Sequence, residues 1–155
     1  MNPDKLLLLR QDLADLDQAA AHLEVSLGRT QALIGRDSWS IDELERLDSL
    51  TSRFARLADL LTQRVMRLVD DLELTPSGTL IDRFNRAEKR GWTDSAVELR
   101  RIRELRNMIA HEYAADRLAA IYAEVFGLAP RLLAVVPKVR AYAEDLLRQL
   151  EGGKA

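Results

Sequence analysis

Apolar residues at alternating spacings of three and four are the feature that most restricts how this chain can fold. One such series runs from Leu6 to Leu27, and a second runs from Leu44 to Leu72. An α-helix of 3.6 residues per turn places residues with this spacing on one face, whereas a strand would require strict alternation. The second series corresponds to about eight turns, or roughly 45 Å of helix. The patterns predict two long antiparallel helices.

Capping and breaking residues predict where these and the following helices begin and end. Ser40 and Glu43 have the spacing of a capping box, in which a hydroxyl and a carboxylate each bond an amide of the first turn. They predict the start of the second long helix. Thr75 and Pro76 predict its end and the start of a third helix, with the proline in the first helical position. Gly91 predicts the end of that third helix.

The C-terminal half carries further helix signals. Thr93 predicts an N-cap, with a fourth helix that begins near Asp94, and Asp116 can cap another helix. Pro130 and Pro137 are expected to kink or divide the last helical segment, because proline removes a backbone hydrogen bond. No segment shows the alternation of a strand. The chain is therefore predicted to be an all-α, up-and-down helical bundle.

Composition agrees with one folded domain and excludes several kinds of site. With 155 residues, 47% hydrophobic and 31% charged, the chain is long enough to bury a core. We expect one domain over residues 1–150 and a flexible tail over residues 151–155. The absence of cysteine excludes disulfides, thiol catalysis and zinc sites built on sulfur, and it suits a reducing cytoplasm. No apolar run approaches the roughly 20 residues of a membrane span, and no secretory signal is expected.

Charge is unevenly distributed along the chain. The formal net charge is −2, yet residues 83–106 contain eight basic and four acidic residues, a local charge of +4. A basic segment on an acidic body indicates an anionic partner. Ordinary solvated helix faces explain the same charge equally well.

One segment, residues 100–113, concentrates the side chains that could do chemistry. On an ideal helix Arg106 falls in the apolar sector that contains Leu105 and Ile109, where its charge must be paired or must face a cavity or a subunit interface. A polar stripe occupies the opposite side. It consists of Arg100, Arg103, Asn107 and His111. An internal ion pair, a surface histidine and a packing tyrosine at position 113 would explain these residues without any chemistry.

The same segment resembles a known family. Arg106, four residues, His111, one residue and Tyr113 match the Arg-x4-His-x-Tyr signature of HEPN domains, specifically the short toxins paired with MNT-type minimal nucleotidyltransferases. Asn107 fits the usual Arg-Asn start of that motif. The resemblance extends from about residue 80 to the C-terminus by pattern and over the whole chain by length and helix order.

A second stretch contributes to the resemblance. Asp82, Arg83 and Phe84, with Gly91 nine residues after the aspartate, are similar to the family's helix that precedes the motif. We take Asp82 as the candidate that orients Arg106.

The resemblance implies a metal-independent endoribonuclease, the toxin of a type II toxin–antitoxin pair, that needs no cofactor. RNA supplies its own nucleophile, the 2′-hydroxyl, so the protein must provide a base, a proton donor and positive charge. His111 suits the first two roles and Arg106 the last, while Arg103 and Asn107 would support substrate binding. In the family, the motif tyrosine, here Tyr113, accepts AMP from the cognate nucleotidyltransferase antitoxin, which silences the toxin.

Residue counts also bear on metals and on assembly. The chain has two histidines, and His111-Glu112 begins like the zinc helix His-Glu-x-x-His, but position 115 is Ala. On an ideal helix Arg106 and His111 point about 140° apart. Either a two-fold homodimer brings two motif helices together around one cleft, or the helix loosens before His111.

Two other functions remain open from the sequence. The chain could be a catalytically inactive helical adaptor that binds a nucleotidyltransferase partner. It could also be a structural bundle whose first helix, with the apolar series from Leu6 to Leu27, serves only oligomerisation.

Overall fold

The computed structural model describes residues 2–76, 78–111 and 117–153, and in these ranges it contains helices and no strand. The prediction of an all-α bundle is confirmed. The helices are α1 (Pro3–Thr30), α2 (Ile41–Asp59), α3 (Met66–Leu72), α4 (Leu80–Lys89), α5 (Ala96–His111) and α6 (Leu118–Gly152), with a 3₁₀ turn at Gln31–Leu33 and a π-helical segment at Leu60–Val65.

The two apolar series form the antiparallel pair that the sequence predicts. Asn2 caps α1 by accepting from the Asp4 amide at 2.9 Å, and the capping box at the start of α2 is present. The direction of the pair follows from its contacts. Arg53 bonds Ser26 and Lys5 pairs with Asp71, so α2 and α3 descend along α1 as the chain ascends it.

The predicted 45 Å helix is continuous but not uniform. Between α2 and α3 the backbone follows a π-helical segment that begins directly after Asp59. The apolar face persists through this segment, where Leu61 and Val65 are fully buried. A π turn holds one extra residue relative to an α turn, so it changes which face of the helix the following residues occupy.

Helix α4 begins four residues later than Pro76. Thr79 is its N-cap, and Thr79 and Asp82 bond each other's backbone amides in a capping box. The prediction that Pro76 opens this helix is therefore wrong, because two satisfied amides stabilise the later start. The predicted end is confirmed: Gly91 follows the helix with φ of +77°, a conformation that favours glycine.

Helix α5 begins at Ala96, two residues after Asp94, near which the sequence predicts its start. The Glu88 carboxylate accepts from the Ala96 amide at 2.9 Å, and the Ser95 hydroxyl accepts from the Val97 amide at 3.2 Å. These two groups satisfy amides of the first turn, while the Thr93 hydroxyl accepts from the Ser95 amide just before the helix, at 3.4 Å.

Helix α6 runs through both of its prolines, so the expectation that they divide it is wrong. Each proline costs about 3 kcal/mol in a helix interior. Buried side chains at Val125, Leu132 and Val139 continue one core face across both positions, and each contributes roughly 1.5–3 kcal/mol. The helix also extends past the expected boundary at residue 150, since Glu151 is helical and pairs with Arg10.

Although charged residues such as Glu124 and Arg131 interrupt the apolar stretch of α6, the helix is long enough and its mean hydropathy high enough to cross a membrane. Its most apolar 18-residue window has a mean hydropathy of 1.6, and 39% of that window is buried inside the protein. A core helix of a bundle passes the same test. In this fold α6 packs antiparallel to α1, because Arg140 pairs with Asp17 whereas Glu151, later in α6, pairs with Arg10, earlier in α1.

Candidate functional site

Helix α5 positions the polar residues that the sequence singles out. Ile102, Leu105 and Ile109 are at most 6% exposed and fix one face of the helix in the core. The helix is regular to His111. The alternative in which it loosens before that histidine is therefore wrong.

Arg106 is held by a carboxylate of α2. Its Nε and Nη2 donate to Oδ1 and Oδ2 of Asp59, both at 2.7 Å, while Nη1 of Arg103 lies 3.4 Å from the same Oδ1. The Arg106 side chain is 27% exposed and that of Asp59 36%. Hydrogen bonding to Asp59 raises the pKa of Arg106. This ion pair explains how an arginine occupies an apolar sector without invoking a subunit interface.

Asp82 does not orient Arg106. Its carboxylate accepts from the Thr79 amide at 3.0 Å, and this bond lowers the pKa of Asp82. The Asp82 Oδ2 atom is thus engaged in the cap of α4, and the residue that orients Arg106 is Asp59.

Arg106 also lines a cleft of about 610 Å³. Helices α2, α5 and α6 form its walls, and its lining combines apolar side chains with hydroxyl, carboxylate and guanidinium groups. The lining residues are Leu44, Asp48, Thr51, Ser52, Ala55, Arg106, Ile109, Ala110, Leu118 and Tyr122. The Tyr122 hydroxyl donates to Asp48 at 3.1 Å, and its ring packs edge-on against Trp39.

His111 and Asn107 are exposed on α5, whereas Arg106 is directed towards α2. Within the described part of the chain, no hydrogen bond joins the His111 imidazole to the Arg106 guanidinium. One protomer therefore presents the imidazole and the guanidinium separately. The AMP acceptor predicted at Tyr113 and the cap predicted at Asp116 lie outside the described residues.

Much of the basic segment is neutralised internally. Five of its eight basic residues form ion pairs with carboxylates of α2, α3 and the turn that follows: Arg83, Arg86, Arg90, Arg103 and Arg106. The remaining three, Lys89, Arg100 and Arg101, are exposed. Acidic residues on the neighbouring helices thus neutralise much of the local charge of +4.

Asp70 is the centre of this internal network. It is 3% exposed and lies 2.7 Å from Arg86, 2.8 Å from Arg90 and 4.0 Å from Arg83. Arg90 also lies over the ring of buried Trp92, 4.9 Å from its centroid. Burial lowers the pKa of Arg83.

Neither Asp59 nor Asp70 was a sequence candidate. Each is an acidic residue in a strongly apolar helical run, and this is the one signal that could have drawn attention to them. The arginines that pair with Asp59 and Asp70 depend on how α2 and α3 are aligned with α4 and α5. The spacing of apolar residues in the sequence does not define this alignment.

No family model, no curated protein and no solved structure matches this chain. The HEPN resemblance accordingly stays a prediction from the motif residues.

Proposed function

We propose that this protein is a metal-independent endoribonuclease, the toxin of a type II toxin–antitoxin pair acting in the cytoplasm. The observation that carries the proposal is the clamp of Asp59 on Arg106, which fixes a guanidinium at the edge of a cleft five residues before the exposed His111. A fixed cation can stabilise the developing charge and an accessible imidazole can transfer a proton, and RNA cleavage needs both kinds of group.

Arg106 retains donors for a phosphate. A guanidinium has five N–H groups, and the two bonds to Asp59 engage Nε and Nη2, so Nη1 is available to a non-bridging oxygen. Arg103 contacts the same carboxylate, so the three charged groups together carry one net positive charge. That charge would stabilise the phosphorane as it forms.

Two imidazoles complete the reaction. One takes the proton of the 2′-hydroxyl as its oxygen bonds to phosphorus, and the second, in its protonated form, gives a proton to the departing 5′-oxygen. The products are a 2′,3′-cyclic phosphate and a 5′-hydroxyl. Because His111 is the motif's one imidazole, the second comes from another copy, and the active species is a two-fold homodimer.

A nucleotidyltransferase antitoxin of the MNT type would silence the enzyme by binding it and by placing AMP on Tyr113. A bulky anion two residues from His111 would repel an RNA phosphate. Intact mass after incubation with ATP and that enzyme should rise by whole AMP units. A Tyr113→Phe variant that gains the same mass would clear this residue.

Single substitutions test the site. We expect His111→Ala to slow RNA cleavage by about 10²–10⁴-fold, and Arg106→Ala to slow it while His111 is intact. Arg148→Ala is the matched control, because Arg148 is exposed near the end of α6 and pairs with Asp145.

Sedimentation tests the dimer, since a 17.5 kDa species alone at micromolar concentration contradicts a shared site.

A second function is favoured by one observation. Asp59 neutralises Arg106 within the chain, which is what a purely structural ion pair would do. In this alternative the protein is an inactive adaptor that docks a nucleotidyltransferase. Partner binding that survives both Arg106→Ala and His111→Ala, with no RNA cleavage by the wild type, would favour the adaptor.

A further inference from the structure

A second depression lies between α1 and α2. Its volume is about 350 Å³, and its lining is polar and basic. The lining residues are Ala19, His22, Ser49, Ser52, Arg53 and Arg56. Among the described residues, no carboxylate lines this depression. Two arginines, a histidine and two hydroxyls are groups that bind phosphate oxygens.

Arg53 is fixed in place by neutral groups. Its Nη1 donates to the Ser26 hydroxyl at 2.7 Å and to the His22 carbonyl at 3.1 Å. These bonds cross from α2 to α1 and hold the guanidinium without cancelling its charge. A pre-positioned cation loses little conformational entropy when it binds an anion.

Arg56 adds a second positive charge. It is exposed, and it has no ion-pair partner in the described part of the chain. In this respect it differs from Arg86, Arg90 and Arg106, which pair with carboxylates. An unneutralised arginine beside a fixed one makes the depression a favourable place for an anion.

The depression adjoins the Arg106 cleft at one residue of α2. Ser52 lines both of them. Arg56 precedes Asp59, the residue that holds Arg106, by three positions, or about one helical turn. An anionic chain that crosses α2 at Ser52 would therefore meet the two cationic sites in succession.

Acidic residues limit the basic surface on both sides. The adjoining depressions contain Asp15 in one direction and Asp42 with Glu45 in the other. The favourable region is thus short, enough for a few phosphates and not for a long duplex.

We propose that the depression around Arg53 and Arg56 binds a phosphate of a single RNA strand whose adjoining segment occupies the Arg106 cleft. This inference rests on the proposed ribonuclease function, because it assigns the strand's path beyond the scissile bond. His22 and the two serines supply further hydrogen-bonding groups to the same phosphate.

Binding of a non-cleavable strand tests the inference apart from catalysis. The probe is a short, labelled 2′-O-methyl RNA, which has no free 2′-hydroxyl, and the measurement is fluorescence anisotropy over a range of salt concentrations. We expect Arg56→Gln to weaken binding about three- to fivefold and to reduce the slope of log affinity against log salt by about 0.7. Arg148→Gln removes the same charge on α6, a helix that contributes no lining residue to the depression, and should change neither quantity.

A second arm separates a strand from a free anion. Inorganic phosphate is titrated while the His22 imidazole signals are followed by NMR. If phosphate shifts these signals while Arg56→Gln leaves the affinity for the RNA strand unchanged, the depression binds a small anion and not the strand. That result would overturn the proposal. Unchanged strand affinity and salt slope in Arg56→Gln, without any His22 response, would overturn the site altogether.

The outcome is separable from that of the proposed function. If His111→Ala abolishes cleavage but Arg56→Gln changes neither cleavage nor the affinity for the RNA strand, this inference is rejected and the proposed function stands. Strand binding that depends on Arg56 in a protein that never cleaves RNA rejects the nuclease and retains the binding surface.

Discussion

The Asp59–Arg106 pair can be measured by a double-mutant cycle. Its two 2.7 Å bonds have bidentate geometry, but the side chains are 36% and 27% exposed. Exposed pairs contribute about 0–1 kcal/mol and breaking buried ones costs about 3–5 kcal/mol. We therefore expect Asp59→Ala to destabilise the fold by about 1–2 kcal/mol, with a coupling energy to Arg106→Ala of about 1 kcal/mol.

The assay is chemical unfolding of the two single variants and the double variant, with Tm as a second measurement. A loss of 1–2 kcal/mol lowers Tm by about 2–8 °C in a domain of this size. Arg103 contacts the same carboxylate, so part of the effect of Asp59→Ala should persist in an Arg106→Ala background. If the effects of the two substitutions are additive within about 0.3 kcal/mol, the coupling energy between Asp59 and Arg106 is negligible. That result would contradict the conclusion that Asp59 holds Arg106 in place.

Three further predictions concern stability. Asp70→Asn leaves three arginines around a buried amide and should lower the free energy of unfolding by about 3–5 kcal/mol, measured in urea. Asp71→Asn is the exposed control and should lower it by less than about 1 kcal/mol. Similar losses in the two variants would contradict the network around Asp70. Leu74→Gly should stabilise the protein by about 0.5–1 kcal/mol, because Leu74 is 90% exposed and has φ of +57°; a destabilised variant would count against strain there. Hydrogen bonding from Arg36 lowers the pKa of Glu43 from 4.5 to about 2. The ionised Glu43 carboxylate therefore stabilises the folded state above pH 4.5, and this contribution is lost as the pH falls towards 2. Carboxyl NMR should show that value rise towards 4.5 in Arg36→Ala, and an unchanged pKa would assign the shift to another cause.

Periodicity was enough to predict the long helices. Leu9, Leu16 and Leu23 are fully buried on α1, as their spacing requires. Local hydrogen bonding was enough where its signal was complete, as in the capping box of Ser40 and Glu43. These features depend on residues within a few positions of one another, and sequence order reports such relations directly.

Competing local signals caused the errors at helix ends. Pro76 and Thr79 both mark a possible start for α4, and the later start satisfies two backbone amides that the earlier one does not. Pro130 and Pro137 indicate breaks when considered alone. Core packing along α6 outweighs them, and that packing depends on helices far away in sequence.

The candidate site was only partly predictable for a related reason. An arginine in an apolar sector requires a partner, and the sequence indicates this for Arg106. The partner, Asp59, is 47 residues away, and its position depends on the alignment of α2 with α5. The depression around Arg53 and Arg56 likewise combines residues of two helices, so no single stretch of sequence reveals it.

The proposed ribonuclease function is tested by end-group analysis of RNA that has been incubated with the purified protein in EDTA. We expect 2′,3′-cyclic phosphate and 5′-hydroxyl ends from the wild type and almost none from a folded His111→Ala variant. Equal cleavage by both proteins, or no cleavage by a wild-type preparation shown to be dimeric and free of AMP, would contradict it.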